Sequence, residues 1–102
     1  MVNMMKMMKQ AAAMQESLKT VQAELAQRQV DFSSGGGMVT VTATGHGNNV
    51  SIRIDPKLVD PSDVDMLQDA ILAGVNGAIQ AAKDMAAKEM SKLTAGLGIP
   101  GL

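Results

Sequence analysis

Apolar and small residues recur at Met4, Met7, Ala11, Met14, Leu18, Val21 and Leu25, alternately three and four positions apart. That spacing lines one face of an α-helix and matches the seam by which helices pack on one another. The intervening residues are mainly Met, Lys, Gln, Ala and Glu, strong helix formers, so the pattern predicts a helix over about 3–29. Glu24 and Arg28, four apart with the acid first, would form a surface pair on it.

The period then changes from helical to alternating. Val30-Asp31-Phe32-Ser33 reads as a short strand, broken by Ser34-Gly35-Gly36-Gly37. Val39, Val41 and Ala43 alternate with Thr40, Thr42 and Thr44, and Val50, Ile52 and Ile54 alternate with Ser51, Arg53 and Asp55. Each run has the pattern of a half-buried strand. Strands are therefore predicted over about 30–33, 38–44 and 49–55, joined by tight turns. In the second turn, Gly45-His46-Gly47-Asn48, glycine and asparagine would supply the positive-φ positions. Two successive hairpins make a three-stranded antiparallel meander, apolar on one face and polar on the other.

Asp55-Pro56 ends the sheet. Asp60-Pro61 then reads as an N-cap followed by proline at the first helical position. A second helix is predicted over about 61–94, roughly 50 Å long at 1.5 Å per residue. Its apolar side runs Val64, Leu67, Ile71, Val75, Ala78, Ile79, Ala82, Met85, Ala86, Met90 and Leu93. Gly74 and Gly77 would each cost about 1 kcal/mol there relative to alanine, which points to a close approach by another element. Residues 96–102, rich in glycine with Pro100, are expected to form a loose tail. The fold class is thus α+β, in a single domain over 1–95.

A compact domain of about 100 residues has a radius of gyration near 13 Å, so helices this long overshoot its body. A second copy of the chain is the simplest cover for their apolar stripes. Met7, Ala11, Met14, Leu18, Val21 and Leu25 of the first helix, with Ile71 and Val75 of the second, are the expected packing and dimer positions.

Composition sharpens this picture. Phe32 is the single aromatic residue, so aliphatic side chains and ten methionines must fill the core. Cysteine is absent, which excludes disulfides, thiol nucleophiles and cysteine metal sites. The N-terminal residues lack the continuous apolar stretch of a signal peptide, because Lys6, Lys9 and Gln10 interrupt them. No run of eighteen apolar residues suggests a membrane span.

The net charge of −1 is unevenly spread. Residues 1–15 carry +2, residues 16–82 carry −4, and residues 83–102 carry +1. Both ends lie distal to the sheet, because one helix enters it and the other leaves it. A dimer would present basic prongs on an acidic body. Lys6, Lys9, Lys83, Lys88 and Lys92 are the candidate DNA-binding residues, as point charges for phosphate. No arginine lies in either prong, so little base readout is expected.

Catalysis lacks its parts. The only histidine, His46, sits between two glycines and reads as a solvated turn residue. Asp60, Asp63 and Asp65 lack the glycine and terminal glutamate of a calcium loop and read as helix capping. Gly35-Gly36-Gly37 precedes a strand and lacks the Lys-Ser/Thr of a phosphate loop. The Met4–Met8 cluster could hold soft Cu(I), but methionine at helical spacing is ordinarily packing material. Catalytic residues, metal ligands, cofactors and a small-molecule substrate are all expected to be absent. Exposed methionine could instead serve a protein-interaction or chaperone-like module.

Several stretches resemble the YbaB/EbfC family: Met8-Lys9-Gln10-Ala11, Gln22-Ala23-Glu24-Leu25-Ala26, Gly37-Met38-Val39-Thr40-Val41-Thr42, Ile54-Asp55-Pro56 and Asp69-Ala70-Ile71-Leu72-Ala73-Gly74-Val75-Asn76. The closing Gly-Leu-Gly-Ile-Pro-Gly belongs to the same likeness, which runs in order along nearly the whole chain. The resemblance implies a bacterial nucleoid-associated protein that forms a tweezer-shaped homodimer, with helix ends as prongs on DNA. It also implies a cytoplasmic, nucleoid location and an influence on chromosome organisation or gene expression.

Overall fold

Helix α1 (Met4–Gln27) begins where the Asn3 side chain accepts a hydrogen bond from the Lys6 backbone N–H at 3.2 Å. In this computed structural model, which describes residues 3–96, α1 leads into strands β1 (Gln29–Ser34), β2 (Val39–Thr44) and β3 (Asn49–Ile54), followed by helix α2 (Val64–Gly96). The strands form one antiparallel sheet in the order β1-β2-β3. The predicted tail lies largely outside the described residues.

Register explains which face is buried. Phe32 pairs with Val41 and Ser34 with Val39, while Val41 and Val39 pair in turn with Ile52 and Ile54. The apolar positions of all three strands therefore share a face, and α2 lies on it. Val39, Val41, Ala43, Ala78 and Ala82 are fully buried there, joined by Leu58. Gly35, Gly36 and Gly37 close the first hairpin at φ 60°, 67° and 89°, a run that side-chain-bearing residues rarely adopt.

The two helical glycines owe their place to this contact. A Cβ at Gly74 would stand 3.0 Å from both Val41 and the Ser34 hydroxyl, and one at Gly77 would overlap the Phe32 ring. The predicted close approach is thus helix on sheet. It also lets the Ser34 hydroxyl donate to the Ala70 carbonyl at 2.6 Å.

Four local expectations need correcting. Helix α2 begins at Val64, not Pro61, and its cap is Asp63, whose carboxylate accepts from the Met66 N–H at 3.2 Å. Asp60 instead accepts from the Ser62 N–H and hydroxyl at 2.9 and 2.7 Å, an Asx turn that occupies its carboxylate two residues on. Those bonds lower the Asp60 pKa, the hydroxyl contributing most. Helix α1 ends at Gln27, so Arg28 is extended (φ −82°, ψ 134°) and its side chain reaches Glu89 at 2.8 Å, not Glu24. Asp84 accepts from the Gln80 amide, so the Asp84–Lys88 pair does not form. In the second turn Gly47 alone takes a positive φ; Asn48 does not.

The molecule measures 73 × 23 × 15 Å with a radius of gyration of 19.7 Å. A compact chain of this length would have about 13 Å. The helices do overshoot the sheet.

Candidate nucleic-acid interface

The elongated part is an arm built from α1 and the C-terminal half of α2. Past Ala82, α2 leaves the sheet and runs antiparallel beside α1. Arg28, at the base of α1, pairs with Glu89, and farther out Leu93 shares a groove with Ala13, Ser17 and Val21. Lys6 lies about eleven residues beyond Ser17, so α1 continues roughly 17 Å past the level of Leu93.

The base of the arm is tightly seated. Leu25 is only 2% exposed and packs on Gly45, where a Cβ would stand 2.8 Å from the Leu25 carbonyl oxygen. The Gly45 N–H donates to the carbonyls of Leu25 and Arg28 at 2.9 and 3.0 Å. His46 is not merely a solvated turn residue. It is exposed, yet its Nε2 lies 2.9 Å from the Gln22 carbonyl, tying the β2–β3 turn to α1.

Burial falls steadily from base to tip. Leu25 is buried, Val21, Leu18 and Met14 are half-buried, and Ala11 and Met7 are exposed. The chain itself therefore covers the lower part of the stripe for which a second copy was expected. Ile71 and Val75 are half-buried on α2.

A different apolar surface is left open. Helix α2 lies over β1 and β2 and barely reaches β3, so Val50 and Ile52 are half exposed on an unpaired edge strand. Gly77 faces β1, and α2 carries Val75 and Leu72 on the opposite flank, Leu72 being 60% exposed. Sequence alternation marked the β3 residues as buried. The signal for their exposure is the small-residue stripe of α2, which pulls that helix toward β1.

The nominated lysines fall into two pairs and one outlier. Lys6 and Lys9 lie about 60° apart on the free end of α1, and Lys88 and Lys92 about 40° apart on α2. Lys83 is about 140° or more from that second pair and points elsewhere. All five are exposed. The ion pairs among the described residues are Arg28–Glu89 and Lys92–Glu89, the latter at 3.4 Å. Glu89 thus holds two cations, Arg28 being one the sequence reading had not placed in the arm. Hydrogen bonds from Arg28 first, then Lys92, lower the Glu89 pKa.

This arrangement offers exposed surface cations. Among the described residues no group of three or more His, Asp or Glu could hold a metal ion. No described helix is long and apolar enough to cross a membrane.

Comparison with known proteins agrees with the fold. The chain is 49% identical over 100 residues to a nucleoid-associated protein of Alkaliphilus metalliredigens, covering 98% of this chain and 88% of that one. It is 52% identical over 100 residues to one from Pelotomaculum thermopropionicum, covering 98% and 95%. The crystal structure of the uncharacterized protein HP0035 from Helicobacter pylori superposes with a TM-score of 0.77 at 19% identity, over 91% of this chain and 98% of that chain. The model of the YbaB/EbfC DNA-binding family matches residues 1–97, and the chain belongs to that family.

Proposed function

We propose that this protein is a homodimeric, non-enzymatic nucleoid-associated protein whose arm holds DNA by its phosphates with little sequence preference. The observation that carries the proposal is the free end of α1, where Lys6 and Lys9 stand exposed with no acid among residues 1–15. Lys88 and Lys92 extend the positive surface along α2. Lysine attracts phosphate as a point charge and carries no base-specific fork, so contact is with the backbone. The acidic residues lie mainly in the body and at the start of α2, away from a polyanion at the tip. Names of relatives at about half identity favour the nucleoid, hence the cytoplasm, as its location.

A second copy is the natural cover for Val50, Ile52, Val75 and Leu72. The unpaired β3 edge beside them favours that reading, because an open apolar edge strand otherwise invites uncontrolled pairing. Pairing would set two arms on one body. A single-subunit mass in sedimentation equilibrium at micromolar concentration would reject the dimer.

The DNA reading is tested by changing Lys6, Lys9, Lys88 and Lys92 together to Gln. Fluorescence anisotropy on duplexes of unrelated sequence should show affinity falling at least about tenfold on all of them alike. Unchanged affinity would remove the arm from the interface. A loss confined to one sequence would replace backbone contact with base readout.

A further inference from the structure

The free end of α1 carries a second chemistry beside its cations. Met4, Met5 and Met8 are 74%, 70% and 68% exposed. At about 100° per residue, Met7, Met4, Met8 and Met5 follow one another around roughly 160° of the helix. Lys9, Lys6 and Asn3 occupy the side opposite. From Met14 onward the stripe turns toward α2 and becomes half-buried. The exposed methionine arc is therefore little more than one turn long, bordered by Lys9 on one edge and Asn3 on the other with Lys6 behind it, and free of carboxylates.

An apolar arc with Lys9 at its edge and Lys6 behind it suits a partner that is anionic outside and apolar within. Duplex DNA has that layout, with phosphates along the groove edges and stacked bases between them. Minor-groove architectural proteins insert Met, Leu, Ile or Phe between base steps and kink the duplex. An anionic membrane has a similar layout, but surface-lying helices typically offer it Trp, Phe or Leu on an extended apolar face. Here the arc is short and purely methionine. We infer that Met4, Met5 and Met8 enter the minor groove as wedges and kink the DNA, while Lys6 and Lys9 hold the adjacent phosphates. The inference rests on the DNA reading above and adds deformation of the duplex to it.

Wedge insertion requires unstacking, so DNA that is already flexible at one step should bind more tightly. The full chain would be compared with a variant carrying Met4→Gln, Met5→Gln and Met8→Gln, glutamine being a helix former of similar size. Met66→Gln, an exposed methionine at the acidic end of α2, is the control. Energy transfer between the ends of a duplex of about 30 base pairs reads the bend, and anisotropy compares intact with singly gapped DNA.

The natural chain should shorten the end-to-end distance and prefer the gapped duplex at least about tenfold. The triple variant should lose both effects while its affinity for intact DNA changes less than about threefold, because the lysines remain. Met66→Gln should behave like the natural chain. Binding without bending, or a triple variant that bends normally, would overturn the wedge and leave the phosphate reading standing. A triple variant that also loses its oligomeric state would instead assign these methionines to a second copy. Methionine-dependent pelleting with anionic vesicles, alongside unchanged bending, would assign them to a lipid surface. A natural chain that binds no DNA would overturn both readings at once.

Discussion

The two ends of α1 share a helix-forming composition and a common apolar stripe, yet their surroundings are opposite. At the base, Leu25 is sealed against Gly45, the Gln22 carbonyl meets His46, and Arg28 is held by Glu89. At the tip, Met4, Met5, Met8, Lys6 and Lys9 stand in solvent. Residue identity at the base is therefore governed by packing, and at the tip it is left open to a partner. A side chain that the fold does not use is the better guide to function.

The sharpest way to break this contrast is one substitution at each end. Gly45→Ala sets a Cβ against the Leu25 carbonyl, which cannot turn aside without moving α1. Unfolding in urea should show a loss of about 2 kcal/mol. Met5→Gln at the tip should change stability by less than about 0.5 kcal/mol. Equal effects at the two ends would abolish the distinction between a seated base and a free tip.

A smaller effect is expected at the ion pairs. The folded pKa of Glu89 lies below its ordinary value, so the native state holds that proton less readily than the unfolded chain. The contribution is therefore complete above the ordinary carboxylate range and is lost as pH falls through the lowered folded value. Glu89→Gln should flatten the fall in melting temperature between neutral and acid pH. Its tip counterpart, Lys9→Gln, should leave that profile unchanged. An unaltered profile in Glu89→Gln would remove the arm's ionic fastening.

Much of this architecture was legible in the sequence, because periodicity reports which side of an element is buried. The change from the Met4–Leu25 stripe to the Val39–Ala43 alternation separated helix from sheet. Gly74 and Gly77 announced a close approach by another element, which proves to be the sheet. Contacts made between distant segments were hidden. Nothing local tells that Arg28 leaves its neighbour Glu24 for Glu89, sixty-one residues on, or that His46 meets the Gln22 carbonyl. The Asp60-Pro61 signal was ambiguous for a different reason, since the same residues favour caps and Asx turns.

The candidate site was legible as charge but not as geometry. Residue counts showed lysine at both ends, while the fold separates Lys83 from Lys88 and Lys92. Exposure of Val50 and Ile52 depended on where α2 lies across the sheet, which alternation within β3 does not encode.

The central claim is that cations along a free arm neutralise DNA phosphates, and its most direct test is the affinity of the purified protein for duplex DNA across a salt series. Neutralising about four phosphates predicts that log K falls against log salt with a slope near −3.6. An affinity indifferent to salt would contradict the account.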